Sequence, residues 1–174
     1  MIAVEIHQAT PNSSDLGFDL RLSGIAQSSV DYAQWRALRF GSDSGNSAIA
    51  GESANPDTDA QSNLVEYSLG GNPTFGDEGP LSTMDAASGR LSLRFFRYAL
   101  ATDITVNVLG ADDLEGPWLQ LARSVNGQPF EPSAPGAFIS ESLGGAFREV
   151  EVRDLFQIGD PAHPSRFLRL QITK

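Results

Sequence analysis

The chain has 174 residues, 40% hydrophobic and 20% charged, with 17 glycines and 10 prolines, which predicts one turn-rich globular domain, or one domain with a smaller appendage. Its formal net charge of −10 disfavours nucleic acids and anionic membrane surfaces as partners and favours cations. The absence of cysteine excludes disulfides, thiolate metal sites and a cysteine nucleophile, and no apolar run reaches the roughly 18 residues of a membrane span.

Residues 1–28 predict an N-terminal β-hairpin. Apolar and polar residues alternate over residues 2–6 and again over residues 16–22, as they do in half-buried strands. Residues 11–14, Pro-Asn-Ser-Ser, supply the turn between them. The first residues lack the basic and apolar regions of a signal peptide, so we expect that an export signal, if the protein has one, lies outside this chain.

Residues 29–79 predict two short helices on either side of an acidic loop. The helical period of apolar residues over 29–40 predicts an amphipathic helix with Ser28 or Ser29 at its N-cap. Residues 41–54 are rich in Gly, Ser, Asn and Asp and have no periodicity, which predicts a loop. Residues 64–69 predict the second helix, and the glycines at 70 and 71 followed by Asn72-Pro73 predict its end.

Residues 80–174 predict a β-sandwich of the Ig-like or jelly-roll type. Candidate strands cover residues 91–96, 104–109, 118–123, 147–152 and 167–173, and clusters of Gly, Pro and Asp separate them. The insert over residues 126–145 predicts irregular loops with one short strand around Phe138. The predicted fold class is therefore mainly β, with a helix, an acidic loop and a short helix between the hairpin and the sandwich.

Residues 55–66 have the spacing of a twelve-residue calcium loop. Calcium takes about six to eight oxygen ligands, which such a loop supplies from alternate side chains, one main-chain carbonyl and a final bidentate carboxylate. The ligand places hold residues with side-chain oxygens: Asn55, Asp57, Asp59, Gln61, Asn63 and Glu66. We predict that these six residues bind Ca²⁺, with Gln61 contributing its main-chain carbonyl. Because three carboxylates this close repel one another, we expect the loop to be loose without the cation.

Two places in the loop depart from the usual pattern. Asn55 occupies the first place, where Asp is usual, and Ala60 occupies the sixth, where a sharp turn favours Gly. A left-handed backbone at Ala60 would cost on the order of 1 kcal/mol. The alternative is that the acidic residues only cap the second helix, with Ser62 or Asn63 as the N-cap and Glu66 in the first turn.

The run over residues 55–73, Asn-Pro-Asp-Thr-Asp-Ala-Gln-Ser-Asn-Leu-Val-Glu-Tyr-Ser-Leu-Gly-Gly-Asn-Pro, resembles aspartate-rich calcium loops of the "SNLLEYALG" type. Such loops are similar to dockerin and thrombospondin type 3 repeats, and they occur near the C-termini of large secreted or surface proteins of environmental bacteria. A small β module follows them there. Residues 111–118 resemble the strand, turn and tryptophan of that module, and residues 166–173 resemble its closing strand.

The resemblance supplies no activity. Together with the loop and the absence of a catalytic signature, it favours a calcium-binding, non-catalytic β module for binding or anchoring, secreted or at the cell surface as part of a larger precursor. Residues 3–8 and 13–20 resemble the last hairpin of a preceding jelly-roll module, so the chain is expected to be a C-terminal remnant whose hairpin has lost its own sheet. That hairpin would have to pair with another strand edge, in this chain or in a second copy. Homodimerisation through the hairpin is therefore one expectation.

A calcium-dependent hydrolase of small esters or lactones is the competing interpretation. A calcium ion with an open coordination position could polarise a carbonyl and acidify a bound water, while a nearby carboxylate or histidine took the proton. No spacing in the sequence identifies the residue that would act as this general base. The two histidines, His7 and His163, are too few for a three-histidine zinc site; we expect His7 to pack on a strand and His163 to be an exposed turn residue.

A carbohydrate-binding module is the third interpretation. Trp35, Trp118 and the adjacent Phe95 and Phe96 could form an aromatic platform, although aromatic residues at strand and helix positions more often belong to the core. Either Phe95 or Phe96 must point outward, because neighbours on one strand face opposite sides of the sheet. A set of exposed, coplanar rings on one sheet face would distinguish this interpretation.

Overall fold

The computed structural model describes residues 28–76, 82–86 and 89–174. The predicted N-terminal hairpin and its His7 lie outside the described residues, as do residues 77–81 and 87–88.

Eight strands in the described ranges form two four-stranded antiparallel sheets. In chain order they are β1 Ser82–Asp85, β2 Arg90–Tyr98, β3 Thr105–Ala111, β4 Leu119–Val125, β5 Glu131–Pro132, β6 Phe138–Glu141, β7 Phe147–Gln157 and β8 Phe167–Thr173. One sheet has the order β1-β2-β7-β6 and the other β5-β4-β3-β8. The mainly β fold class and the sandwich are thus confirmed, while the finer assignment to an Ig-like or jelly-roll type stays a prediction.

The six strands predicted within residues 80–174 all correspond to observed strands, and two observed strands there were not expected. β8 has the predicted bounds, whereas β7 continues five residues beyond the predicted end at residue 152. The apolar alternation stops there because the next inward-facing position is the buried Asp154. β1 and β5 have few buried residues, so neither shows the hydrophobic pattern by which a strand is predicted.

The first helix, α1, covers Tyr32–Phe40. Its N-cap is Asp31, so the prediction of a serine cap at residue 28 or 29 is wrong. Asp31 Oδ1 accepts a hydrogen bond from the Gln34 N–H at 2.7 Å, and Gln34 Oε1 accepts one from the Asp31 N–H at 3.1 Å. This reciprocal capping box satisfies two main-chain donors at the start of the helix.

Residues 41–54, predicted to be a loop, are partly helical. A 3₁₀ turn covers Gly41–Gly45 and a second helix, α2, covers Ser47–Ala50. Asn46 caps α2, because its Oδ1 accepts a hydrogen bond from the Ala48 N–H at 3.0 Å. A helix of four residues is too short to show a hydrophobic period, which is why the sequence pattern misses it.

The third helix, α3, covers Asn63–Leu69 and ends at Gly70, as predicted. Gly70 has a φ of 88°, the left-handed conformation that ends many helices and that glycine adopts without steric cost. A Cβ atom at this position would lie 2.4 Å from Phe147 Cε1. Gly70 therefore allows the end of α3 to approach the start of β7.

The hydrophobic core lies between the two sheets and extends beneath α1 and α3. Tyr32 and Trp35 of α1 and Tyr67 of α3 form a compact aromatic cluster, with ring centroids 5.3 to 5.4 Å apart. All three rings belong to the same core cluster as the inner strand residues. α3 also packs against β2 and β8, and so the acidic loop before α3 is held against the side of the sandwich. None of the described helices is long and apolar enough to cross a membrane.

Candidate metal centre

Local turns fold residues 55–66 back on themselves. Asp57 Oδ1 accepts a hydrogen bond from the Asp59 N–H at 3.4 Å, and Asp59 Oδ1 accepts one from the Gln61 N–H at 2.6 Å. Aspartate readily forms turns of this i to i+2 kind. The left-handed residue is Thr58, with a φ of 63°. Ala60, at the place where the usual pattern has Gly, does not have a positive φ, because the aspartate turns bend the chain two residues earlier.

Three carboxylates converge within the loop. Asp57, Asp59 and Glu66 each place one oxygen within 4.8 Å of the other two. Glu66 is fully buried on α3, while the two aspartates are half-buried. Like charges about 4 Å apart repel by roughly 4 kcal/mol at the effective dielectric of a protein surface. A cation bound among the three carboxylates would replace this repulsion with attraction.

The two asparagines of the loop are held through their amide nitrogens. Asn55 Nδ2 donates to the Asp59 carbonyl at 2.5 Å. Asn63 Nδ2 donates to the carbonyls of Ile49 and Gly51, both at 2.8 Å. Because a carbonyl oxygen only accepts hydrogen bonds, these contacts determine which end of each amide is the nitrogen. The amide oxygen of each asparagine therefore points away from these carbonyls.

Four oxygens of the loop are buried with no hydrogen-bond donor among the described residues. They are Asn55 Oδ1, Asp57 Oδ2, Gln61 Oε1 and Asn63 Oδ1. A buried acceptor without a donor costs about 1–3 kcal/mol. Carboxylate and amide oxygens are the ligands that Ca²⁺ takes in proteins. For Gln61 the side-chain oxygen is thus a candidate ligand beside the main-chain carbonyl that the spacing predicts.

Main-chain hydrogen bonds join the end of the loop to the segment before it. The Asn63 N–H donates to the Ala54 carbonyl at 2.9 Å, and the Leu64 N–H donates to the Glu52 carbonyl at 3.0 Å. Ser62 is the N-cap of α3, as the helix-capping alternative expects, but its side chain makes no capping hydrogen bond. Helix capping therefore leaves the four buried oxygens of the loop without an explanation.

A second polar cluster joins the loop after β3 to the loop before β8. His163 Nδ1 lies 2.9 Å from Asp112 Oδ1, and the His163 ring stacks on Phe156 with centroids 3.5 Å apart. Arg166 donates two hydrogen bonds of 2.7 Å to the buried Asp154 and one of 3.0 Å to Asp112. The hydrogen bonds with His163 and then with Arg166 hold the pKa of Asp112 below its ordinary value.

This cluster corrects the expectation for His163 and was not foreseen from the sequence. His163 lies in a turn as expected, but its side chain is only 25% exposed and has a carboxylate partner, so the expectation of a simple exposed residue is wrong. Asp112 and Asp154 lie far from it along the chain, and no local spacing connects them.

The aromatic residues considered for a carbohydrate platform have different surroundings. Trp35 is 5% exposed and belongs to the core, while the Arg169 guanidinium lies over the Trp118 ring at 3.9 Å. Phe95 is buried and Phe96 is exposed, which confirms that these neighbours face opposite sides of β2. Of these four rings, Phe96 alone is largely exposed.

A scan against protein-family models finds no matching family, and searches of curated proteins and of solved structures find no match. The resemblance of residues 55–73 to dockerin and thrombospondin type 3 loops therefore stays a prediction, and function has to be inferred from the geometry of the site.

Proposed function

We propose that the protein is a calcium-stabilised, non-catalytic β module for binding or anchoring, and that residues 55–66 bind one Ca²⁺ ion. The observation that carries this proposal is the group of four buried oxygens without hydrogen-bond donors in a loop that also brings three carboxylates together. A bound Ca²⁺ would satisfy those oxygens and offset the repulsion between the carboxylates.

The proposed ligand set matches the coordination number of calcium. Its members are Asn55, Asp57, Asp59, Gln61, Asn63 and Glu66. If Glu66 binds through both oxygens, the loop supplies about seven ligands, within the range of about six to eight that Ca²⁺ takes. Mg²⁺ is smaller, prefers an octahedral site and keeps several waters, so it should bind this loop more weakly.

The ion would act on the fold through α3. Glu66 would bind the metal, and the next residue, Tyr67, is fully buried in the aromatic cluster of the core. Calcium would in this way hold α3 on the sandwich. Half of the proposed ligand residues are neutral amides, which favours a modest affinity, with a Kd in the range of about 10⁻⁵ to 10⁻³ M that includes extracellular calcium modules. We therefore place the protein outside the cytoplasm, secreted or at the cell surface.

The calcium-dependent hydrolase gains no specific support from the site. Its metal would need a neighbouring base, and no histidine belongs to the carboxylate cluster within the part of the chain that the structure describes. His163 bonds with Asp112 instead. Calcium-dependent turnover of an aryl ester or a lactone would favour the hydrolase over the non-catalytic module.

Calorimetric titration of the chelator-stripped protein tests the proposal. We expect one Ca²⁺ per chain in the wild type and at least about a hundredfold weaker binding in Asp57→Asn/Asp59→Asn, because two of the three carboxylates are lost. The charge-matched control is Asp43→Asn/Glu115→Gln, which removes two exposed carboxylates outside the loop and should bind like the wild type.

Unfolding by urea provides the second readout. Calcium at about a hundred times its Kd should raise the free energy of unfolding by about 2.7 kcal/mol in the wild type and the control, since it binds only the folded state. The same calcium should not stabilise the double variant. A wild-type protein that is folded by circular dichroism and yet shows neither calcium heat nor calcium-dependent stability would contradict the proposal.

A further inference from the structure

A cavity of about 270 Å³ lies between α1, α3 and the adjoining ends of β2 and β7, and none of its lining residues belongs to the carboxylate cluster. Its walls include four aromatic side chains, one aliphatic and one charged: Trp35, Tyr67, Tyr98, Phe147, Leu38 and Arg39. An apolar protein cavity of about 150 Å³ is large enough to hold a benzene molecule. The cavity therefore has room for one aromatic ring with a short substituent.

The cavity has a buried floor and an exposed apolar rim. Trp35 and Tyr67 form the floor and are 5% and 0% exposed, with ring centroids 5.4 Å apart at an angle of 57°. At the rim, Phe147 is 51% and Leu38 is 78% exposed. Large apolar side chains exposed beside a concave surface are typical of a binding site. A flat apolar ligand would cover both rim residues while stacking on the floor.

The walls are held in place before any ligand arrives. The Tyr67 hydroxyl lies 2.6 Å from the Val30 carbonyl and 2.7 Å from Asp103 Oδ1, so its one proton always has an acceptor. Burial, and then the hydrogen bond to Asp103, raises the pKa of Tyr67 and keeps the hydroxyl neutral. At the rim, the Phe147 ring packs directly against Gly70. A preformed pocket of this kind loses little conformational entropy when it binds.

Arg39 places a positive charge at the cavity. It lies in the last turn of α1, lines the cavity and is exposed. No carboxylate of the described residues forms an ion pair with it. A guanidinium repels cations and binds carboxylates through paired, charge-assisted hydrogen bonds. The aromatic walls alone would also suit an organic cation, but Arg39 selects against one.

We propose that this cavity binds a small aromatic carboxylate, with its ring against Trp35, Tyr67 and Phe147 and its carboxylate on Arg39. The proposal goes beyond calcium binding and concerns a different set of residues, because none of the cavity residues belongs to the loop over residues 55–66.

Quenching of Trp35 fluorescence by cinnamate tests the proposal, with the full chain in a Trp118→Phe background so that Trp35 is the only tryptophan that emits. We expect saturable quenching with a Kd between about 10 µM and 1 mM, as the size of the ligand allows. The uncharged cinnamamide should bind at least about tenfold more weakly, because its single neutral oxygen cannot form a charge-assisted, two-point pair with the guanidinium. Benzyltrimethylammonium should not bind measurably.

Two pairs of variants assign the contacts. Arg39→Gln should weaken cinnamate binding at least about tenfold, whereas Arg123→Gln, which removes an exposed arginine on β4, should not. Phe147→Leu should weaken cinnamate binding severalfold, whereas Phe96→Leu, which alters a ring elsewhere on the protein that is 54% exposed, should not.

Absence of saturable quenching, equal affinity for cinnamate and cinnamamide, or equal effects of Arg39→Gln and Arg123→Gln would overturn the proposal. Calcium calorimetry tests the calcium proposal separately, so either proposal can fail while the other stands.

Discussion

Asn63 shows how one side chain can be both structural and available to a metal. Its amide nitrogen bridges the carbonyls of Ile49 and Gly51 at the end of α2, and its amide oxygen is buried without a donor among the described residues. An aspartate at this position would add a charge to the proposed metal site, but it could not donate to either carbonyl. The asparagine therefore joins the acidic loop to α2, and under the proposal this lowers the affinity for calcium.

Replacing Asn63 by alanine should destabilise the protein even without calcium. Asn63→Ala removes two buried hydrogen bonds, and in the presence of a chelator we expect it to lower the free energy of unfolding by about 1–3 kcal/mol, measured by urea denaturation. Asp57→Asn is the matched comparison, since it keeps Oδ1 for the Asp59 N–H and removes one of three repelling charges. That variant should be as stable as the wild type in chelator, or more stable. If Asn63→Ala were neutral in chelator, its hydrogen bonds would have no structural role.

The sequence predicts the residues of the carboxylate cluster because they are local. Alternate places within twelve residues are enough to indicate that Asp57, Asp59 and Glu66 converge, and they do. The backbone conformation is less predictable, since the left-handed residue is Thr58 and not Ala60. Contacts such as those of Asp112 with Arg166, 54 residues apart, cannot be read from local spacing, because the fold alone brings them together.

At the scale of elements, α3 connects the two proposed binding sites. It begins beside the acidic loop, carries Glu66 to the carboxylate cluster and Tyr67 to the aromatic cavity, and ends at Gly70 beneath Phe147. A helix of seven residues is marginal by itself in water. Its stability therefore has to come from these tertiary contacts at both ends.

Gly70 allows α3 to end here for two reasons: glycine adopts a positive φ without steric cost, and its lack of a Cβ leaves space for the Phe147 ring. Substitutions can separate these two effects. Gly70→Ala and Gly136→Ala both place a Cβ at a residue of positive φ, 88° and 83°, which should cost about 1 kcal/mol each. At Gly136 nothing lies within 4 Å of the added Cβ, but at Gly70 the Cβ would meet the Phe147 ring. We therefore expect Gly70→Ala to cost a further 1–3 kcal/mol or so in urea denaturation.

A double variant identifies the source of that additional cost. In a Phe147→Ala background the ring is gone, so the destabilisation by Gly70→Ala should fall to that of Gly136→Ala. Equal costs for the two glycine substitutions in the wild-type background would mean that the contact with Phe147 has no energetic role.

The elements themselves are predictable to the extent that each has its own hydrophobic pattern. β8 alternates from Leu168 to its end and has the predicted bounds, and α3 ends at a glycine, as its sequence predicts. α2 has an N-cap, but its four residues are too few to show a hydrophobic period. β1 and β5 are ordered mainly by pairing with β2 and β4. An element that is ordered mainly by its neighbours shows little hydrophobic pattern in its own sequence.

At the scale of the whole molecule, a buried ion pair within the sheet β1-β2-β7-β6 also bonds to the chain segment that follows β4 of the other sheet. Arg97 on β2 donates to Glu141 Oε1 through Nε at 2.9 Å and through its terminal nitrogen at 2.5 Å. The same arginine donates to the Gly127 carbonyl, and Glu141 Oε2 accepts from the Phe130 N–H at 2.8 Å. Gly127 and Phe130 both lie in the connection between β4 and β5. Arg97 occupies an inward-facing position two residues after Phe95, where the strand pattern predicts an apolar side chain.

The pair should make stability depend on acid pH. Burial favours the neutral form of Glu141, but the hydrogen bonds from the Phe130 N–H and Arg97 outweigh it and hold its pKa below the ordinary value of 4.5. A lowered pKa in the folded state means that the unfolded state binds more protons at acid pH. The contribution of Glu141 is therefore complete above pH 4.5 and is lost as the pH falls through the folded-state pKa.

Glu141→Gln tests the contribution of this ion pair and of its bond to the β4–β5 connection. The variant leaves Arg97 buried without its carboxylate, so at neutral pH we expect it to lower the free energy of unfolding by about 3 kcal/mol. Below pH 4.5 the wild type should lose stability more steeply than the variant, and the two curves of unfolding free energy against pH should converge. Glu149→Gln, at an exposed position of β7, is the control and should follow the wild type. Parallel curves for the wild type and Glu141→Gln, measured by urea denaturation in chelator, would show that the charge of the Glu141 carboxylate does not stabilise the fold.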